Sequence, residues 1–158
     1  MISDTITQKI GEALKAHDEI RLSTLRMLSS ALNYEFIAKQ HKLSEEEELA
    51  VAKREAKKRQ DTIETLRQVQ GKSTINPAGV EERINREKKE LEILKEYLPS
   101  EISDEELEKL VDLSIKETGA KEIKDMGKVI GAVIGKTKGT ADGKRVAEMV
   151  KEALVIRQ

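Results

Sequence analysis

Seven basic residues near the end of the sequence have the side-chain types and spacing to bind an anion. They lie in or beside the segment KDMGKVIGAVIGKTKGTADGKR, residues 124–145. Residues 121–158 carry nine Lys or Arg against five Asp or Glu, whereas the whole chain has a net charge of −1. Lysines and accessible backbone N–H groups of a glycine-rich turn both bind phosphates. The predicted nucleic-acid-binding residues are Lys121, Lys124, Lys128, Lys136, Lys138, Lys144 and Arg145.

The same segment contains GAVIGKT, residues 131–137, which is one residue shorter than a phosphate-binding P-loop. A P-loop has four residues between its glycines, because it wraps backbone N–H groups round the phosphates, and this segment has three. A P-loop also follows a strand, and the sequence predicts none. We therefore interpret Gly131 and Gly135 as residues that permit close packing of a short helix and then end it.

No pattern of residues indicates catalysis. His17 and His41 lie at predicted helix ends in polar surroundings, which favours surface histidines, although a role as general base or metal ligand stays open. The glutamates at 45–48 fan outward at about 100° per residue, which favours helix capping over paired acid and base chemistry. Cysteine is absent, which excludes a thiol nucleophile. We expect no catalytic residue, no metal and no cofactor.

The composition is typical of an all-α protein. Charged residues make up 37 % of the 158 residues and aromatic residues 2 %, whereas strands favour aromatic and β-branched side chains. The first ten residues lack the apolar core of a signal peptide, and the longest apolar run is too short to span a bilayer. We therefore expect a cytoplasmic protein with no membrane contact.

Hydrophobic periodicity and capping signals predict two helical subdomains. The fold expected is an N-terminal unit of four long helices, residues 1–98, a linker at 99–103, and a C-terminal three-helix subdomain with the basic face, residues 104–158. The predicted N-caps are Asp18, Ser44, Asn76, Ser103 and Asp142. The predicted helix ends lie near residues 16, 40, 71, 98, 119, 135 and 156. A turn is expected between Gly71 and Pro77.

The inner faces of the first three helices follow from apolar spacing. The expected inward-facing residues are Ile2, Ile6, Ile10 and Leu14, then Leu22, Leu25, Leu28, Leu32 and Phe36, then Ala52, Ala56, Ile63, Leu66 and Val69. Tyr34, Phe36 and Tyr97 all lie in helical patterns, so we expect no stacking platform for unpaired bases, and a folded RNA fits better than a single strand.

A second basic stretch lies in the third helix, at Lys53, Arg54, Lys57, Lys58 and Arg59. We interpret it as a solvated face tied by pairs such as Glu55 with Arg59, because such runs are common in a highly charged chain.

Several short motifs together resemble one family. They are Arg21-Leu22 with Leu25-Arg26-Met27-Leu28, Lys58-Arg59-Gln60-Asp61 with Ile63, Tyr97-Leu98-Pro99, Asp125-Met126-Gly127-Lys128-Val129, and Lys138-Gly139-Thr140-Ala141-Asp142-Gly143. Over nearly its whole length the chain resembles the GatB/YqeY family, whose domain recurs as the C-terminal tail of the GatB subunit of glutamine-dependent tRNA amidotransferases.

The resemblance implies two all-helical subdomains and links the C-terminal one with tRNA. The amidotransferase chemistry of GatB belongs to its large catalytic domain, which these residues do not contain. The resemblance therefore implies an accessory module, and a label of carbon–nitrogen ligase activity with glutamine as amido-N-donor would be inherited from larger relatives. Arg21 and Arg26 have two readings, contact with a partner or a structural role at the core edge.

The function expected is binding of tRNA, or of amidotransferase or tRNA-processing proteins, through the C-terminal basic face. The alternatives are a helical protein–protein adaptor without RNA binding and a small enzyme whose site the sequence does not show. The sequence leaves the oligomeric state open.

Overall fold

The computed structural model describes residues 1–72, 76–138 and 140–156. Within these ranges the chain forms seven α-helices and one 3-10 turn and no strand, which confirms the all-α prediction. Residues 73–75 of the turn predicted after Gly71, Gly139 of the glycine-rich turn, and residues 157–158 lie outside the described ranges.

Contacts between Cα atoms divide the chain into two compact units, Met1–Leu98 and Pro99–Gln158, which are described separately. The first unit contains α1 (Ile2–Lys15), α2 (Glu19–Lys39), α3 (Glu45–Gln70) and α4 (Pro77–Lys95). The second contains α5 (Asp104–Thr118), the 3-10 turn Ile123–Asp125, α6 (Met126–Thr137) and α7 (Gly143–Ile156).

Four of the predicted caps are confirmed by hydrogen bonds. The side chain of Asp18 accepts from Arg21 N at the start of α2, and Ser44 forms a capping box with Glu47 at the start of α3. Asn76 and Ser103 accept from the third residue beyond them at the starts of α4 and α5. Each cap satisfies a backbone N–H that has no partner inside its helix.

The core of the first unit is aliphatic and small. Two neighbouring groups of buried side chains form most of it: Ile6, Leu28, Leu32, Leu43, Val51, Ala52, Ala56 and Leu94, and then Ala13, Leu25 and Ile93. Three residues expected on inner faces, Leu14, Phe36 and Val69, are instead exposed, so those expectations were wrong. All three lie near a helix end. After Leu32, the next residue along the chain that packs in this core is Leu43, which lies in the connection between α2 and α3.

Glu48 of α3 is buried, contrary to the expectation that all four successive glutamates point outward. Its Oε2 accepts hydrogen bonds from the backbone N of Ile2 at 2.6 Å and of Ser3 at 3.3 Å, and its Oε1 accepts from the Ser3 hydroxyl. The N-terminus of α1 is therefore capped by a carboxylate from another helix. The negative charge also suits the positive end of the helix dipole.

The basic stretch of α3 is tied by ion pairs, although not the pair that was expected. Lys58 binds Glu55 at 2.6 Å, and Arg54 reaches Glu35 of α2 at 3.0 Å. Arg59 does not pair with Glu55 but with Glu90 of α4 at 2.7 Å. The side chain of Arg59 thus crosses to the neighbouring helix, where it meets a buried carboxylate.

In the second unit, nine buried side chains from α5, α6, α7 and the segment after α5 form one core: Leu107, Val111, Ile115, Ala120, Val129, Val133, Val146, Val150 and Leu154. The prediction that α6 ends at Gly135 was wrong, because the helix continues to Thr137. A Cβ added at Gly131 or Gly135 would meet nothing within 4 Å. Neither glycine is therefore required for close packing.

None of the helices in the described ranges is long and apolar enough to cross a membrane.

Replacing Glu48 should destabilise the first unit. Glu48→Ala leaves two backbone N–H groups of α1 without their acceptor, so we expect the free energy of unfolding to fall by about 1–3 kcal/mol. Glu46→Ala removes an exposed glutamate from the same helical turn and should change it by no more than about 0.5 kcal/mol. Urea unfolding followed by circular dichroism measures both values, and equal losses would contradict the capping role.

Glu47 should titrate at unusually low pH. The ammonium of Lys39 and the backbone N of Ser44 donate to its carboxylate and lower its pKa from the ordinary 4.5 to about 2. Because the folded-state pKa is depressed, the stabilisation is complete above pH 4.5 and is lost as the pH falls toward 2.

An NMR titration of the Glu47 side-chain carboxyl carbon tests this assignment. Its midpoint should lie near 2 and should move up toward 4.5 in Lys39→Gln, since Lys39 is the main cause of the shift. Lys42→Gln, which removes a nearby exposed lysine, is the matched control. A midpoint near 4.5 in the unaltered chain would show that the pair does not form in solution.

Candidate nucleic-acid interface

Helix α6 carries two of the seven predicted basic residues, Lys128 and Lys136, and Lys138 follows it directly. Val129 and Val133 have no exposed surface and hold one face of the helix against α5 and α7. Lys128 is exposed because it is the neighbour of Val129 and lies about 100° round the helix from it. The apolar stripe therefore decides which side of α6 carries the charge.

The predicted residues fall into two groups at opposite ends of α6. Lys121, Lys124 and Lys128 lie at its N-terminal end, whereas Lys136 and Lys138 lie at its C-terminal end. Lys144 and Arg145 begin α7, a few residues beyond that second end. Because α6 has 12 residues, its length is about 18 Å at 1.5 Å per residue.

A carboxylate already lies within the N-terminal group. Asp125 Oδ2 accepts from the backbone N of Lys121 at 3.2 Å and of Glu122 at 3.3 Å. These two hydrogen bonds, followed by the charges of Lys128 and Lys124, lower the pKa of Asp125. Lys124 also pairs with Glu122 at 2.8 Å. The side chains of Lys121 and Lys128 are exposed and make no ion pair with the described residues.

Two residues of the C-terminal group are used by the fold. Lys136 pairs with Glu117 of α5. Arg145 donates to Oδ1 of Asp104, including from Nε at 2.9 Å, and to the carbonyl oxygen of Ile102 at 2.9 Å. These contacts join α5 to α6 and α5 to α7. A phosphate would therefore have to compete with existing partners for both side chains.

The other two residues of this group, Lys138 and Lys144, are exposed. Lys138 follows α6 in a left-handed conformation, with φ of 46°, and this conformation lets the chain turn away at the helix end. Lys144 is the second residue of α7. The carbonyl oxygen of Asp142 accepts from Val146 N, as expected for the residue that precedes the helix.

Arg21 has a structural role, whereas Arg26 is exposed. The guanidinium of Arg21 forms a two-pronged pair with Glu96, with distances of 2.9 and 2.6 Å. The hydrogen bond to Glu96 raises the pKa of Arg21, and the same bond lowers the pKa of Glu96. This pair joins the start of α2 to the end of α4 and decides between the two readings that the sequence left open for Arg21.

Neither histidine belongs to a cluster with metal-ligand geometry. His17 is exposed and has a φ of 54°. His41 is exposed, with Nε2 3.7 Å from a Glu47 oxygen. Among the residues described, no group of three or more His, Asp or Glu side chains could hold a metal ion.

Sequence reasoning missed an exposed apolar surface on α2. Tyr34 is 74 % exposed and Ile37 70 %, and Phe36 is also exposed. The spacing of Phe36 continued the predicted stripe of Leu25, Leu28 and Leu32, so it gave no signal for exposure. The exposure removes the basis for excluding aromatic contacts with a partner.

The sequence was compared with protein families and with curated proteins. A family model described as Yqey-like protein matches residues 3–154, nearly the whole chain. No curated protein matches the sequence.

Arg145→Gln should loosen the second unit. The change removes the ion pair with Asp104 and weakens the hydrogen bond to Ile102, so we expect a loss of about 1 kcal/mol in local stability. Amide hydrogen exchange in α5 and α7 measures it. Lys151→Gln, at an exposed position of α7, is the control. Unchanged hydrogen exchange in Arg145→Gln would contradict the structural role of Arg145 and leave only a role in binding.

Proposed function

The chain belongs to the Yqey-like protein family, which its family model covers from residue 3 to 154, and from this premise we propose that it is an accessory module that binds tRNA or a tRNA-dependent amidotransferase-related assembly. One observation carries the proposal: the second unit presents Lys121, Lys128, Lys138 and Lys144 at exposed positions at the two ends of α6.

The spacing of these lysines favours contact with the backbone of a folded RNA. Lys128 and Lys138 are ten residues apart in sequence, which corresponds to about 15 Å along a helix. Lysines bind phosphates as point charges and carry no base readout by themselves. Two separated groups on a rigid helix are suited to recognise the distance between phosphates. Such recognition depends on RNA shape and not on sequence.

We further infer a division of labour along the chain. Residues 1–98 form a helical scaffold, 99–103 a linker, and 104–158 the binding subdomain. The proposed module acts in the cytoplasm and supplies positioning to an assembly whose chemistry is performed elsewhere.

A second candidate function is that of a helical protein–protein adaptor without RNA binding. The exposure of Tyr34 and Ile37, three residues apart on α2, favours it. Large aromatic and aliphatic side chains on a surface are typical of protein interfaces. This function would use the first unit.

The test is fluorescence anisotropy of labelled tRNA over a salt series. Unaltered protein should bind with a log–log salt slope of about −3 to −4, as expected for four neutralised phosphates. The triple variant Lys121→Gln, Lys128→Gln, Lys138→Gln should bind much more weakly, with a slope reduced in magnitude by about 2–3.

The matched control is Lys109→Gln, Lys116→Gln, Lys151→Gln, which removes three exposed lysines from the same unit. It should retain most of the affinity, because these lysines lie outside the proposed interface. Equal losses in both triple variants would indicate unspecific attraction to positive charge. Absence of tRNA binding at low salt would sink the RNA proposal and leave the adaptor function as the better account.

A further inference from the structure

Helix α2 carries a row of exposed apolar side chains. Tyr34 and Ile37 are largely exposed, Met27 is 44 % exposed, and Ser30 between them is exposed as well. The steps along the chain are three, four and three residues. At about 100° per residue this spacing places all four side chains on one side of the helix. We call these four residues the outer seam.

The outer seam lies roughly opposite the buried face of α2, which Leu25, Leu28 and Leu32 form. A rotation of α2 that buried the seam would therefore expose the core residues. Burying both faces at once needs a further element that packs on the outside of α2. The exposed seam thus has the properties of a docking surface, because large apolar side chains in a row on a surface are typical of interaction sites.

Helix α3 supplies one border of the outer seam. Arg54 Nη2 donates to Glu35 of α2 at 3.0 Å. Farther along α3 and farther back along α2, Arg59 Nη2 contacts Met27 Sδ at 3.4 Å. The two helices therefore run side by side in opposite directions. Lys58 lies one helical turn after Arg54, on the same side of α3.

The charges that reach the surface along the outer seam are positive. The side chains of Arg54 and Lys58 are 49 % and 58 % exposed, whereas their partners Glu35 and Glu55 are 20 % and 10 % exposed. On the opposite border, Arg26 of α2 is exposed, and among the residues that the structure describes it makes no ion pair. A partner that covers the seam therefore meets cations on both sides of it.

We propose that the outer seam binds an amphipathic helix of a partner protein whose apolar stripe is bordered by Asp or Glu. The spacing of the seam is that of the a and d positions of a heptad, which pack against a second helix. From Met27 to Ile37 it extends about 15 Å, or about three helical turns. Acidic side chains beside the partner's stripe meet Arg26, Arg54 and Lys58, so their charges are complementary.

This inference rests on the adaptor function, the second candidate above, and gives it a surface and a class of partner. It does not depend on RNA binding by the second unit.

Charge favours this partner over a second copy of the chain. In a symmetric pair of outer seams the basic borders of the two copies would come together, and like charges oppose such a contact. An RNA would suit the cations, but of the seam residues only Tyr34 has a ring on which a base can stack. Phosphates gain nothing from contact with Met27 and Ile37.

Fluorescence anisotropy with the full chain and a labelled synthetic peptide tests the proposal. The peptide has about three heptads, with Leu at a and d and Glu at e and g, where repulsion between glutamates keeps it from pairing with itself. It should bind saturably, and more weakly as salt is raised.

Two reference peptides separate charge from apolar packing. One has Lys in place of each Glu, and the other has the same residues as the acidic peptide in an order without an apolar stripe. Each should bind roughly tenfold more weakly or worse, because the first loses complementary charge and the second loses the stripe that covers the outer seam.

Tyr34→Gln with Ile37→Gln should weaken binding of the acidic peptide by roughly tenfold or more, because it removes most of the exposed apolar surface of the seam. The matched control is Leu14→Gln with Val69→Gln, which removes two exposed apolar side chains from other helices of the same unit. It should bind the peptide as the unaltered chain does. Circular dichroism checks that each variant keeps its helical content.

Arg26→Gln with Arg54→Gln should weaken binding several-fold and reduce its salt dependence, because one cation is lost from each border of the seam. Lys15→Gln with Arg67→Gln, which removes two exposed positive charges of the same unit, is the matched control and should change neither.

Three outcomes overturn the proposal. The first is no saturable binding of the acidic peptide, or equal binding of the peptide without a stripe. The second is a dimer in sedimentation that Tyr34→Gln with Ile37→Gln dissociates, which assigns the seam to a second copy. The third is displacement of the peptide by a single-stranded oligouridine, which assigns it to RNA.

Failure here is distinguishable from failure of RNA binding. The triple variant Lys121→Gln, Lys128→Gln, Lys138→Gln should bind the acidic peptide as the unaltered chain does. Tyr34→Gln with Ile37→Gln should in turn bind tRNA as the unaltered chain does.

Discussion

The buried carboxylates of the first unit are the constraint on which the rest of its structure depends. Its core is built mainly from leucine, isoleucine, valine and alanine, with no tryptophan in the chain, so apolar packing must be completed by other contacts. Glu48 caps α1 from α3, and Glu87 and Glu90 of α4 receive Arg59 of α3. A buried carboxylate is tolerated only where donors surround it. These residues therefore fix how the helices pair, since another register would leave the carboxylates without donors.

Local signals predicted the helices well because caps act within four residues. Ser44, Asn76 and Ser103 were identified from sequence, and each accepts from the expected backbone N–H. Glycine correctly marked the ends of α3 and α5, at Gly71 and Gly119, but not the end of α6. Gly135 was taken as the end of α6, yet a glycine within a helix costs only about 1 kcal/mol, and burial of Thr137 keeps the last turn helical.

Contacts between distant residues could not be predicted, because periodicity identifies a buried face but not its partner. Glu48 binds residues more than forty positions away, and Arg59 pairs across thirty-one. The glutamates beside Glu48 have the same residue type, and only the position of α1 distinguishes it. Phe36 is the converse case, a residue predicted to be buried that is exposed. Its spacing continues that of Leu32, but Leu43, in the connection between α2 and α3, packs in the core instead. Such outcomes depend on how the helices assemble.

The same reasoning applies to the predicted basic face. A count of its positive charges overstates the number of side chains that are available to bind a partner. Lys136 and Arg145 join helices of the second unit, and Lys124 faces Glu122. Releasing them to a phosphate would exchange one ion pair for another, so each gains less than a lysine without a partner. In the proposed interface, we therefore expect the affinity for an anion to come mainly from Lys121, Lys128 and Lys138. The helices fix the backbone positions of those lysines, and in the proposed interface we expect this placement, more than net charge, to determine which folded partner can contact both ends of α6.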